Sequence, residues 1–290
     1  MAELKGPLQF IGSIGNIRVY YNKTLKKYIV STKGGSDKEL IKKSPVYARQ
    51  RENMSEFGAC AFWSAMLRQI LNSIDHLAQG YVFSGFMKLA KTIQKHDDLH
   101  FRGMRSIESS KDALLLTTLN FNKAHPFEQV LSQQFDTSFS SDRKTVTISM
   151  PGFRPYTRIS WPTRFKFYRF AMVIAQLPDF VWDEKEKCYK PVVAGLEDSS
   201  VCVYTEWREQ STDEVDIVIS ASFAQPALQH MGTTVIVALG IEVSPGLGEV
   251  FKGEIVELLG TDPIIPDPKY SILHIRMNFF LVIFVFFINF

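Results

Sequence analysis

Along the first third of the chain, apolar and polar positions change period twice. Ile17 to Tyr21 and Tyr28 to Thr32 are short runs rich in β-branched and tyrosine residues. They flank Asn22-Lys23-Thr24-Leu25-Lys26-Lys27, and this arrangement predicts a β-hairpin. Gly12, Gly15, Gly34 and Gly35 punctuate its ends. From Ser44-Pro45 the period lengthens. A serine N-cap with proline at the first helical position leads into Phe57, Ala61, Ser64, Leu67, Leu71 and Ile74 at three-to-four spacing, which predicts a helix. Val82, Phe86, Leu89, Ala90 and Ile93 form a second stripe after Gly80, so the two predict an antiparallel helical hairpin.

Between His96 and Pro126 no clean period survives, and beyond it the pattern is that of strands. Seven segments carry it: Gln134–Ser140, Lys144–Met150, Arg164–Leu177, Val201–Trp207, Val215–Phe223, Thr233–Val243 and Lys252–Leu258. Turns are expected at Ser140-Ser141-Asp142, Pro151-Gly152, Pro226 and Ser244-Pro245-Gly246. The fold class expected is α+β: an N-terminal β-hairpin plus helical hairpin, then an immunoglobulin-like or fibronectin-like antiparallel β-sandwich. The boundaries that follow are 1–100 for the N-terminal module, 101–126 for a linker region, 127–262 for the sandwich and 263–290 for a linker and apolar tail.

That tail, Phe279 to Phe290, is built only of Phe, Ile, Leu, Val and Asn. Its uninterrupted apolar run of 10 residues falls short of the ~20 needed to span a bilayer. A weak C-terminal anchor over 271–290, a docked final element and out-of-frame or truncated coding sequence all fit it. No secretory signal pattern opens the chain, so the expected compartment is the cytoplasm, with the weak anchor as the alternative. Cys60, Cys188 and Cys202 are widely spaced and lack a C-x-x-C pair, which points to free thiols rather than a disulfide framework or zinc knuckle.

Composition adds little until charge is read locally. The overall net charge is +3, yet Arg18 to Arg51 carries ten Lys or Arg against Asp37 and Glu39, a net +8 in 34 residues. Arg18, Lys23, Lys26, Lys27, Lys33, Lys42, Lys43, Arg49 and Arg51 are therefore the candidate contacts for a polyanion or a partner, binding nucleic acid through phosphates or an acidic protein. Arg164-Phe165-Lys166-Phe167-Tyr168-Arg169-Phe170 also interleaves basic and aromatic residues, but a half-buried strand explains the alternation.

Catalytic patterns are weaker. His96-Asp97-Asp98-Leu99-His100 spaces two histidines as a helical metal site would, but lacks the glutamate after the first histidine and falls at a predicted helix end. It reads as a solvated helix terminus. No G-x-S-x-G elbow occurs, Gly12-Ser13-Ile14-Gly15 is not a phosphate loop, and Cys60 reads as a packed small hydrophobe. An enzyme would have to draw on dispersed groups such as His96, Asp98, His125 and Glu206. The reading is thus non-catalytic, without cofactor or metal.

The front end carries one resemblance. Gly12-Ser13-Ile14-Gly15-Asn16-Ile17-Arg18-Val19-Tyr20-Tyr21, the strand Tyr28-Ile29-Val30-Ser31, Ser44-Pro45 and Ala48-Arg49-Gln50-Arg51 resemble the start of uncharacterised bacterial proteins classed as domains of unknown function, some phage- or prophage-like. The likeness covers roughly residues 8–72, and Asn22-Lys23-Thr24 stands where that group's turn usually carries Gly. It transfers no site residues. It implies a structural or assembly role, with a protein partner or self-association expected, nucleic acid as the alternative partner, and membrane contact only through 271–290.

Overall fold

The computed structural model describes residues 2–3, 10–32, 34–78, 82–119, 121, 126–162, 164–225, 232–246 and 249–259. Its elements run β1 (Ala2–Glu3), β2 (Gly12–Ile14), β3 (Ile17–Asn22), β4 (Lys27–Thr32), α1 (Lys38–Lys43), α2 (Ala48–Ile70), α3 (Phe83–Lys95), α4 (Ala113–Leu116) and α5 (Phe127–Val130). There follow β5 (Asp136–Phe139), β6 (Thr145–Phe153), α6 (Pro155–Arg158), β7 (Phe167–Pro178), β8 (Phe180–Asp183), β9 (Cys188–Pro191) and β10 (Val201–Tyr204). The last are β11 (Arg208–Glu209), β12 (Val215–Ser222), β13 (Thr233–Gly246) and β14 (Glu249–Leu259). The fold is α+β, and the chain divides between Glu52 and Asn53, within α2, into two compact units.

The first unit holds an antiparallel sheet in the order β1-β4-β3-β2, then α1. The expected hairpin is present in the register Tyr21↔Tyr28 and Val19↔Val30. Its turn works without glycine: Asn22 Oδ1 accepts from the backbone N–H of Thr24 (3.0 Å) and Leu25 (2.9 Å), and Lys26 sits at φ 52°. Gly15, at φ 57°, makes the tighter turn between β2 and β3. Ser44 does not cap a helix through its side chain as expected. Pro45–Tyr47 forms a 3₁₀ turn before α2, while Asp37 caps the unexpected α1, Oδ1 accepting from Glu39 N–H at 2.8 Å.

In the second unit the longest sheet pairs β10-β7-β13-β14, with β11 also on β7. Both faces of β7 and β13 are buried, which is why these strands read as near-continuous apolar runs. Ala171, Val173, Ala175 and Leu177 with Ile236 and Ala238 pack on the helices through Trp63, Leu67, Ile70, Leu77, Phe86 and Ile93. Tyr168, Phe170, Met172 and Ile174 with Val237, Leu239, Ile241 and Val243 pack on Val146, Ile148, Met150 and Phe153 of β6 and Ile217, Ile219 and Ala221 of β12. Those two strands belong to a separate antiparallel sheet, β12-β6-β5. The helices run antiparallel, since the N-terminal half of α2 meets the C-terminal half of α3 through Glu56, Lys91 and Gln94.

Several details differ from expectation. Phe57 is 64% exposed, and the buried stripe of α2 is instead Glu56, Ala59, Cys60, Trp63, Ser64, Leu67 and Ile70. The segment from Phe57 to Leu67 is apolar on nearly every side, so spacing alone left the face undetermined. Pro151-Gly152 is no turn: it lies inside β6, where Gly152 at φ 60° donates its N–H to Asp216 Oδ1 and the pairing with β12 shifts register. Ser244-Pro245-Gly246 likewise ends β13. Pro226 and the tail 263–290 lie outside the described residues.

Candidate functional site

Directly opposed residues of an antiparallel pair share a face. The register of the first unit therefore places Ile14, Ile17, Val19, Tyr21, Tyr28 and Val30 on one face, and Ser13, Arg18, Tyr20, Asn22, Lys27, Ile29 and Ser31 on the other. The apolar face is only part covered. Val19 is buried, whereas Ile14 is 65%, Ile17 48% and Tyr21 41% exposed, and Leu25 in the turn 58%. Tyr21 and Tyr28 meet edge to face at 5.1 Å.

The basic residues picked out by charge density fall into distinct roles around this sheet. Arg18 lies over the Tyr20 ring at 5.7 Å on the polar face, the face that also carries Lys27. Lys23 and Lys26 are exposed in the turn, and Arg49 is exposed on the first turn of α2. Lys42 and Lys43 share Glu39 at 3.6 and 3.3 Å, in the last turn of α1 where cations complement the helix dipole. Arg51 is committed to structure: its Nη1 donates to the carbonyls of Ile41 (2.7 Å) and Ser44 (2.8 Å), tying the C-terminal end of α1 to α2. Lys33 lies outside the described residues. Spacing alone missed the exposed apolar row beside these cations, although the alternation of Ile17, Val19 and Tyr21 was its signal.

In the second unit four buried acidic groups hold the chain. Glu56, fully buried on α2, accepts from Arg105 through both oxygens (Nε 2.7 Å, Nη2 2.8 Å), from Lys91 and from the backbone N–H of Gly103 at 3.0 Å. Burial alone pushes its carboxyl up; the hydrogen bonds from Arg105, Lys91 and Gly103 outweigh that and hold it at about 2. Asp97 accepts from the N–H groups of Leu99, His100 and Ser106 and from His100 Nδ1 at 2.7 Å. Its carboxyl lies below the ordinary value because these bonds outweigh burial. Asp179 accepts from Ser109 Oγ at 3.0 Å, Ser110 N–H at 2.9 Å and Ser110 Oγ, yet burial dominates and raises it. Glu242, 1% exposed, is bound by Arg169 Nε at 2.6 Å and His76 Nε2 at 2.8 Å.

His96 pairs through Nδ1 with Asp112 at 3.0 Å and closes the C-terminal end of α3, while Asp98 is exposed. Because α3 ends at Lys95, His96 and His100 do not share a helical face. Glu206 is exposed between β10 and β11, and His125 lies outside the described residues. Among the described residues no cluster of His, Cys, Asp and Glu is arranged to hold a metal. Arg169, from the interleaved basic and aromatic strand, stacks on Tyr204 (4.4 Å) and Trp207 (4.7 Å) above Glu242. Cys60 is buried and burial pushes its thiol up to about 11, as a packed hydrophobe requires.

A shallow cleft of about 620 Å³ opens at the C-terminal end of α2, lined by Arg68, Gln69, Asn72, Phe83, Glu197 and Asp198 among others. No helix of the described residues is long and apolar enough to cross a membrane. Comparison of the chain with known families, curated proteins and solved structures finds no match.

Proposed function

We propose that this chain is a non-catalytic interaction protein whose N-terminal unit docks an acidic protein partner. One observation carries the reading: on a single small sheet, exposed Ile14, Ile17, Tyr21 and Leu25 sit beside the turn lysines Lys23 and Lys26. Protein interfaces combine an apolar, aromatic centre with a charged rim in this way, the rim charges steering encounter and the centre supplying most of the affinity. The commitment of Glu56, Asp97, Asp179 and Glu242 to internal bonds supports the non-catalytic part. The packing of β6 and β12 onto β7 and β13 supports a reading of the two sheets as an immunoglobulin- or fibronectin-like sandwich acting as scaffold. The front-end resemblance favours an assembly role of phage or mobile-element kind.

Affinity capture from the source extract, with mass-spectrometric identification, tests this with three baits: the native chain, I14S/I17S and K23E/K26E/R49E. An acidic protein held by the native chain and lost at least tenfold from both variants is the expected result. Capture that nuclease abolishes, with I14S/I17S behaving as the native chain, replaces this reading with nucleic-acid binding. Capture indifferent to both variants rejects the N-terminal unit as the contact.

A further inference from the structure

We propose that the second unit self-associates head to tail: the loop carrying Leu99 and Phe101 of one copy enters the cleft beside Phe83, Glu197 and Asp198 of the next. Leu99 is 83% and Phe101 86% exposed, among the most exposed large apolar side chains described. They project from a loop pinned on every side. Asp97 holds the backbone of Leu99, His100 and Ser106. Gly103 donates to Glu56 and its carbonyl accepts from Ser55 Oγ at 2.8 Å and Tyr189 Oη at 3.0 Å, while Arg102 Nη2 donates to Asn53 at 3.3 Å. A loop fixed before binding loses little conformational entropy when its apolar tips are buried, which is the condition for a hot spot.

The cleft is the complementary surface. It is an open depression of about 620 Å³ whose lining is mostly polar, with Ala65 and Phe83 as its apolar floor. Half-buried Phe83 and exposed Ala65 offer apolar contact, and Glu197 and Asp198 rim it with negative charge. Lys95 is the exposed cation beside the loop, with Arg102 next to it and bonded to Asn53; Asp98 is the exposed acid there, and Arg68 in the cleft is matched by Asp75 at 3.4 Å. The loop is seated on α2 near Ser55, the cleft near Gln69, so roughly 20 Å of helix separates them at 1.5 Å per residue. The loop therefore cannot fill its own cleft. Because the two surfaces differ, the contact is heterologous and repeats into rings or chains.

This inference deepens the assembly reading but uses residues of the second unit and none of the basic sheet, so the two fail separately. Sedimentation velocity of the full chain from micromolar to a few hundred micromolar is expected to show species growing beyond the monomer. L99S/F101S and E197K/D198K, each with the native circular dichroism spectrum, are expected to stay monomeric, self-association weakening at least tenfold. Mixed together they are expected to form a one-to-one dimer and nothing larger, since only one loop and one cleft remain intact. If L99S/F101S loses the native spectrum, F101S replaces it with the same reading. A native chain monomeric throughout, association that survives both variants, or a mixture that stays monomeric overturns the proposal. So does loss of association in K23E/K26E/R49E, which would move self-association to the N-terminal unit.

Discussion

Glu56 ties two distant pieces of chain to one carboxylate: α3 through Lys91, and the following loop through Gly103 and the two-pronged ion pair of Arg105. Removing one partner of a buried pair leaves the other charge without compensation, which costs far more than the pair contributes in net stability. Glu56→Ala is therefore expected to lower the unfolding free energy by about 3–5 kcal/mol in urea titration, since Arg105 keeps its charge in a largely buried site. Cys60, within the same region, hydrogen-bonds Gln94 Oε1 at 3.5 Å and its thiol is held protonated by burial. Thiol labelling of the native protein at mild alkaline pH is expected to modify the half-buried Cys188 first, Cys202 more slowly because burial raises its thiol too, and Cys60 only after unfolding. Prompt labelling of all three thiols would contradict the packing described around α2.

Elements whose signals are local were legible in the sequence. Alternating β-branched and tyrosine residues placed β3 and β4 to within a residue, and each of the seven strand segments of the second half has its counterpart in the structure. Elements held by distant partners were not. The β8–β9 hairpin turns on Asp183, whose Oδ1 accepts from Lys185 and Glu186, and on left-handed Lys187, with no glycine or proline to announce it. Residues 96–112 show no period because Asp97, Glu56 and Asp179 fix them through side-chain to backbone bonds that no spacing rule encodes. The 3₁₀ segment Asn72–Leu77 docks on β13 for a reason equally invisible in sequence: a Cβ at Gly240 would lie 2.7 Å from Leu77 Cδ1. Gly240→Ala is expected to cost about 1–3 kcal/mol by overpacking. Leu77→Ala alone is expected to cost about 2–5 kcal/mol by opening a cavity, and because the Cβ at position 240 then has room, the double variant is expected to lose less than the sum of the two single changes. Strict additivity in chemical denaturation would show that the segment does not press on Gly240.

At the scale of the whole molecule, the buried carboxylates set opposing responses to acid. Glu56 and Asp97 are held below their ordinary values, so their contribution to stability is present above the unfolded pKa, near 4.5 for Glu56, and is lost as pH falls toward about 2. Asp179 is raised above its ordinary 3.8, so its contribution is present below that value and is lost as pH rises through the folded one. At neutral pH an ionised Asp179 is thus a liability, whereas Glu56 is an asset. The basic surface of the first unit was legible from charge density because charge is a property of composition. The sign of each carboxylate's contribution was not, since it depends on whether the hydrogen bonds that each one accepts outweigh its burial. Asp179→Asn keeps an acceptor for Ser109 and Ser110 without the buried charge, and is expected to raise the urea midpoint at pH 7 while leaving stability near pH 3 little changed. Glu56→Gln is expected to lower stability at pH 7 and to flatten its decline between about pH 5 and pH 2, by about 1–2 kcal/mol after allowance for solvent screening. Parallel acid profiles for the two variants would remove the distinction between a carboxylate met by Arg105 and Lys91 and one met only by neutral donors.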